Sequence, residues 1–390
     1  MPFASRTAAV VALLVCAASA AGPAPAAQPR AQRVVAIGDV HGSLDSLTAI
    51  LQAAELIDPQ RRWIGGRTRL VQTGDILDRG AAVREVMELF MRLEDEARRA
   101  GGRVDVLFGN HEGMNVLRDP RDVSAEAFES FADKDSESRR SRAYSTHATL
   151  ARRAGQELNR NDWLRERPPG YLEYLEAMGP SGRYGRWLRA RKPVAKIDDS
   201  IFMHAGIPVA STASVDEVNR TIEREIRIFD DAVSTLQESQ LIGPAATLQD
   251  VVTASAGALN SVAVMLREKQ EVPKEVTQGY VTRLQALLSI NQWWLTTPEG
   301  PLWYRGYATL GDDAQPQIEA LLKRLGAARI VTGHTPQLPG AIRPRFGGRV
   351  FLIDTGMLST YYKGGRPSAL EIVGAQVTAI YTDAREPLVK

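Results

Sequence analysis

The sequence predicts an α/β fold built on two sheets, and three observations carry the prediction. Short apolar runs end again and again in Gly-Asp, Gly-Asn or a histidine; stretches of helical spacing follow them; and strand-like segments close the chain. Residues 34–37, Val-Val-Ala-Ile, are the first run and end in Gly38-Asp39. Behind Ser43, a candidate cap, Leu44, Leu47, Leu51 and Ala54 recur at helical spacing. Leu70-Val71 then leads to Gly74-Asp75, and Val83, Val86, Met87, Phe90 and Leu93 line one face of the next helix. A third run, residues 104–108, ends at Gly109-Asn110. Strands joined by helices imply parallel pairing, and such sheets gather their chemistry at the carboxyl ends of the strands. Residues 119–192 turn helical and charged, which reads as an inserted cap. Strand character returns over residues 200–203, before His204-Ala205-Gly206. A second helical insertion covers residues 215–295, and residues 329–332 form a strand ending in Gly333-His334. Residues 350–353, 369–373 and 377–381 read as strands of a second sheet, the last two joined in a hairpin at Gly374-Ala375. The organisation expected is one domain over residues 28–390, with insertions at about 119–195 and 213–300.

The chain of 390 residues is 44% hydrophobic and 24% charged, a composition with neither disordered nor fibrous bias. Lys and Arg number 48 against 46 Asp and Glu, so the net charge of +2 gives no global field for nucleic acid or acidic membrane. Preference for an anionic ligand must be local, and no nucleic-acid partner is expected. Arg6, the apolar stretch over residues 7–18 and the small residues that follow read as a signal peptide over residues 1–27. A periplasmic or secreted protein with no stable membrane insertion after cleavage is the expectation. Cys16 is the one cysteine and lies in that leader, so thiol catalysis and thiolate metal sites are excluded from the mature chain.

Five polar signals occur in order: Gly38-Asp39-Val40-His41-Gly42, Gly74-Asp75-Ile76-Leu77-Asp78-Arg79-Gly80, Gly109-Asn110-His111-Glu112, His204-Ala205-Gly206 and Gly333-His334-Thr335-Pro336. They hold four of the five histidines. Each follows an apolar strand, so all can converge on one rim. Asp39 and Asp75 brought together there repel one another, and a dehydrated carboxylate pair is costly unless it is protonated or binds cations. Carboxylates, imidazoles and an Asn carbonyl suit divalent Mn, Fe or Zn. Two ions fit better than one, because a bridging carboxylate such as Asp75 spans ions roughly 3.5–4 Å apart and leaves room for a shared hydroxide as nucleophile. Arg79 is a natural donor to phosphate oxygens, since its planar fork matches their geometry.

These motifs resemble the signature of PPP-type phosphatases within the calcineurin-like metallophosphoesterases. His204-Ala205-Gly206, Trp303-Tyr304-Arg305-Gly306 and Gly333-His334-Thr335-Pro336 are most similar to the bacterial, Shewanella-like branch. The resemblance implies a two-sheet α/β/β/α sandwich with helical caps, and two divalent metals. It implies that Asp39 and His41 hold the first metal, that Asp75 bridges, and that Asn110, His204 and His334 hold the second. His111 would be the general acid, Asp78 would orient it, and Arg79 and Arg305 would clamp the phosphoryl group. The activity implied is hydrolysis of phosphoserine, phosphothreonine or phosphotyrosine in a protein or peptide by a metal-bridging hydroxide. Where eukaryotic members carry a Ser-Ala-Pro-Asn-Tyr loop, this chain has Asp354-Thr355-Gly356-Met357 and then Tyr361-Tyr362-Lys363. Preference for phosphoserine and phosphothreonine does not carry over.

Each motif alone has a plainer reading: Gly38-Asp39 as a strand-to-helix turn, Asp78 and Arg79 as a surface ion pair, His204 and His334 as satisfied core histidines, Arg305 stacked beside Trp303 and Tyr304. Five matches in order outweigh it. His147, in a charged insertion, reads as an exposed polar residue, and the arginine clusters at 139–142 and 186–192 as solvated faces. Two rivals remain: a dinucleoside polyphosphate hydrolase, which shares the first three motifs, and a metal- or phosphate-binding protein without turnover, which would have no use for His111 and Asp78.

Overall fold

In the computed structural model, which describes residues 32–389, the apolar runs pair into two mixed sheets. The signal peptide expected over residues 1–27 lies outside the described residues. The first sheet is centred on β1 (Arg33–Ile37), β2 (Arg69–Gln72) and β3 (Arg103–Val106), all parallel. Its partner contains β4 (Val194–Ile197), β5 (Ser200–Met203), β6 (Arg329–Thr332), β7 (Arg343–Arg345) and β8 (Val350–Leu352). There β5, β6 and β8 run parallel, and β4 and β7 close the edges antiparallel. The first sheet is completed by β9 (Ser368–Val373), β10 (Gln376–Tyr381) and β11 (Arg385–Val389), in the order β11-β10-β9-β1-β2-β3.

Side chains alternate across a strand, and that alternation builds the layers. Val34 and Ala36 point into a core shared with Phe202, Val331 and Phe351 of the other sheet. Val35 and Ile37 face the opposite way, toward α1 (Leu44–Ala53) and α2 (Val83–Arg99). On the far side, Ile201, Met203, Ile330 and Val350 pack on a later helix, Gln315–Leu325, through Ile318, Leu321 and Leu322. The result is helix, sheet, sheet, helix.

One pairing differs from the sequence reading, which grouped residues 350–353, 369–373 and 377–381 in a single second sheet. β8 joins β6, whereas β9 and β10 extend the first sheet, with Val34 opposite Ile372 and Ala36 opposite Leu370. An uncovered edge of β1 would leave its backbone groups without partners, and the hairpin supplies them.

Between the motifs lie α3 (Asn110–Val116), α4 (Ala125–Glu129), α5 (Ser136–Arg153), α6 (Arg160–Glu166), α7 (Tyr171–Met178) and α8 (Arg183–Arg189). Beyond β5 come α9 (Val215–Glu238), α10 (Leu248–Arg267) and α11 (Gln278–Leu287). The arginine clusters are not simply solvated faces. Arg140 is buried and donates to the carbonyls of Arg167 and Leu164 at 2.7 and 2.8 Å. Arg189 forks onto Asp230 of α9 at 2.7 and 2.8 Å, and Arg191 binds Glu94 of α2. His147 is likewise half-buried rather than exposed, and accepts the Trp163 indole N–H at 3.1 Å. Among the described residues no helix is long and apolar enough to cross a membrane.

Candidate metal centre

Asp39 and His41 follow β1, Asp75 follows β2, Asn110 opens α3 after β3, His204 follows β5 and His334 follows β6. The structure brings all six to one rim, where none is more than 5% exposed. The backbone is bent to do so. His41, Asp75, Asp78, Arg79 and His334 have φ between 48° and 66°, a left-handed region that costs a side-chain-bearing residue and persists only where the surroundings impose it. Glu112 is one of the things that imposes it. Its carboxylate accepts the backbone N–H groups of Asp75 and Gly109 at 2.7 Å and of Ile76 at 3.0 Å. Two glycines are needed for close approach: a Cβ at Gly109 would sit 2.3 Å from Asp75 Oδ1, and one at Gly333 2.3 Å from Asp39 Oδ1.

The histidine tautomers follow from their outer contacts. His41 Nδ1 lies 2.9 Å from the Leu77 carbonyl, His204 Nδ1 3.1 Å from that of Thr73, and His334 Nε2 3.1 Å from that of Trp303. A carbonyl only accepts, so each of these nitrogens carries the proton and the opposite nitrogen offers a lone pair to the centre. His204 Nε2 therefore faces Asn110 Oδ1 at 2.8 Å, His334 Nδ1 at 3.1 Å and Asp75 Oδ2 at 3.3 Å. The Asn carbonyl, the carboxylate and the two imidazole nitrogens are all electron-pair donors, and such a group is stable around a cation. Asp75 is common to two clusters, one with His41 and His111 and one with His204 and His334, whose ligand atoms lie within 4.8 Å of one another. The residues present fit a pair of divalent metals.

Charge points the same way. Burial, Asp354 and Asp75 push the Asp39 carboxyl well above the usual carboxylate range. Burial alone would raise Asp75 too, but His204 and His111 beside it hold it well below that range. Burial lowers the His41 pKa to about 3 and the His334 pKa to about 2, so both are neutral imidazoles fit to ligate. Asp354, 1% exposed, was not singled out as a site residue from the sequence. Burial and Asp75 raise it to about 6, and its Oδ2 has no hydrogen-bond partner. The signal was present: Ile353-Asp354 is an apolar strand ending in a carboxylate, like the run before Asp39.

His111 is placed differently. Its Nδ1 bonds to Asp78 Oδ2 at 2.7 Å, Asn115 holds the other Asp78 oxygen at 2.8 Å, and the Tyr174 hydroxyl holds Asn115 at 2.6 Å. Burial would depress the His111 pKa, but Asp75 and Asp78 carry it to about 9. With Nδ1–H given to Asp78, that rise favours a second proton on Nε2, the atom that Arg79 covers. Arg79 lies across the mouth, 3.0 Å from His111 Nε2 and 2.6 Å from His41 Nε2, bonded also to the Tyr362 hydroxyl. Arg305 is at the exposed rim and donates to the His334 carbonyl at 2.8 Å and the Thr335 hydroxyl at 3.1 Å. Asn115, Tyr174 and Tyr362 were not assigned from the sequence, and their contacts span 37, 59 and 283 residues.

The family model for calcineurin-like phosphoesterases matches residues 32–338. The chain is 23% identical over 354 residues to Shewanella-like protein phosphatase 1 of Plasmodium berghei, spanning 89% of this chain and 74% of that one. It is 44% identical over 100 residues to Shewanella-like protein phosphatase 2 of Arabidopsis thaliana, 26% of each chain. Its fold is similar to the solved cold-active protein tyrosine phosphatase of a Shewanella species: TM-score 0.58, 24% identity, 92% of this chain and 80% of that one.

Proposed function

The chain belongs to the calcineurin-like phosphoesterase family, and from that premise we propose that it is a metal-dependent phosphomonoesterase acting on phosphorylated side chains of proteins or peptides. One observation carries the reading: inward-facing lone pairs from three imidazoles meet a shared carboxylate, and a fourth imidazole, His111, is fixed by Asp78 beside His41 in the same cluster. In this reading Asp39, His41 and Asp75 hold one divalent ion, and Asp75, Asn110, His204 and His334 the other. A metal pair there supplies activation of water at neutral pH and positive charge against the phosphoryl oxygens.

The chain's own groups do the rest. Arg79 turns its fork onto two phosphoryl oxygens, and Arg305 adds charge at the rim. As water adds to phosphorus and the P–O ester bond breaks, His111 gives its Nε2 proton to the leaving oxygen. Asp78 stays ionised and keeps the other ring nitrogen protonated, so the acid always presents the same atom. No phosphoenzyme forms. Trp303, Tyr361 and Tyr362 edge the mouth and favour an aryl ester, which agrees with the name of the solved neighbour, a protein tyrosine phosphatase. The test is phosphate release from matched phosphotyrosine, phosphoserine and phosphothreonine peptides by protein stripped of metal and refilled with Mn, Fe or Zn. Turnover of the phosphotyrosine peptide first supports the reading. Silence toward all three peptides in every metal, or turnover confined to a dinucleoside polyphosphate, overturns it.

A further inference from the structure

Beside the metal centre, between the two helical insertions, lies a cavity of about 1240 Å³. The Trp303–Arg305 segment forms one wall and meets the centre directly, through the Trp303 carbonyl on His334 Nε2 and Arg305 on the His334 carbonyl. Met114 and Leu117 of the α3 segment form another, on the same element that carries His111. The space is far larger than a phosphoryl group needs, and Arg305 is the site residue that lines it.

Its charge is uneven. Four arginines and three acidic residues line it. Arg121 pairs with Asp119 at 2.9 Å, and Arg167 with Glu166 at 3.2 Å. Arg118 and Arg305 direct their hydrogen bonds to neutral acceptors instead: Arg118 to the carbonyls of Ala246 and Pro244, Arg305 to a carbonyl and a hydroxyl. Arg118 is half-buried, and its Nη1 makes no hydrogen bond among the described residues. Arg305 sits at the metal centre; Arg118 follows the far end of α3, whose seven residues rise roughly 10 Å at about 1.5 Å each. An extended peptide covers that distance in about three residues.

We propose that this cavity is the cleft for the peptide around the phosphorylated residue, and that Arg118 selects a carboxylate about three residues from it. This rests on the phosphoprotein reading above and adds the class of sequence preferred, an acidic peptide. Met114, Leu117 and Trp303 give the intervening residues apolar walls.

The experiment scans one glutamate, against glutamine, through the three positions on each side of a phosphotyrosine, with kcat/KM as readout. Wild-type protein should prefer glutamate at one outer position by roughly tenfold, the worth of one charge-assisted hydrogen bond. Arg118→Gln should bring that ratio close to one, Arg118→Lys should keep most of it, and Arg118→Glu should reverse it in favour of lysine. Because each ratio compares two peptides on the same preparation, a partly unfolded variant does not mimic the effect. The proposal is overturned if no position in wild-type protein discriminates by more than about twofold, or if the preference survives Arg118→Gln. Turnover of p-nitrophenyl phosphate with no phosphopeptide turned over would instead bring down the phosphoprotein reading itself; even turnover of all peptides brings down only the cleft.

Discussion

Replacing Asp78 with Asn probes the acid in isolation. The change keeps the volume of a side chain that is completely buried, and keeps a partner for Asn115, but removes the charge 2.7 Å from His111 Nδ1. The rise of the His111 pKa from 6.5 to about 9 is worth roughly 3 kcal/mol in favour of the imidazolium, and Asp75 and Asp78 share it. Asp78→Asn therefore lowers the pKa of His111 by about one unit or more, and an amide N–H turned toward Nδ1 favours the wrong tautomer. Loss of a positioned acid costs about 10²- to 10⁴-fold in rate. The assay is kcat against pH on two esters: a phosphotyrosine peptide, whose leaving oxygen needs the proton, and p-nitrophenyl phosphate, whose leaving group departs as a stable anion. An acid works while protonated, so activity holds below its pKa and fails above it; the alkaline limb should move to lower pH in the variant than in the wild type. The peptide should lose at least tenfold more than the nitrophenyl ester. Equal losses on the two esters, or an unmoved alkaline limb, would refute the assignment of His111 and Asp78.

Other perturbations separate structure from chemistry. Glu112→Gln sets an amide among three backbone N–H donors; burial and Asp75 also raise this carboxyl to about 7, which offsets part of the loss, so the variant should be destabilised by only about 1 kcal/mol, read from the denaturant midpoint. Asp354→Asn should do the opposite in chelator-treated protein: a carboxyl raised from 3.8 to about 6 burdens the fold at every pH above that range, so its removal should add roughly 2 kcal/mol at pH 7 and flatten the fall in stability as pH rises from 4 to 6. A lower melting temperature in that variant would contradict the account of crowded carboxylates. Gly333→Ala drives a methyl against Asp39 Oδ1 and should cut bound metal, measured by elemental analysis, to about half or less of the wild-type content. Refilling stripped protein with metal at about a hundred times its Kd should raise stability by about 2.7 kcal/mol, and a melting curve indifferent to metal would be incompatible with the site.

The parts of this molecule legible in the sequence are those that one strand specifies by itself. β1, β2, β5 and β6 are apolar on both faces because each is sandwiched, and each stops at a polar residue that must leave the core; Asp39, Asp75, His204 and His334 were visible for that reason. Pairing was less visible. Nothing within residues 368–381 says whether the hairpin joins β8 or β1, since that depends on which edge the remaining strands leave open. Contacts from the insertions were hidden more thoroughly. Tyr174 reaches Asn115, and Arg189 reaches Asp230, from helices whose polar residues are read by default as solvated. This division bears on specificity. Asp39, Asp75, His204 and His334 come from positions where a strand pattern forces a polar exit, whereas Arg118 is held by contacts to the Ala246 and Pro244 carbonyls that no strand pattern dictates. The α3 segment meets both kinds of constraint, since Asn110 and His111 face the centre while Arg118 faces the cleft. A change of substrate is thus open to the far end of that segment without disturbing the near end, and the cleft can vary where the metal centre cannot.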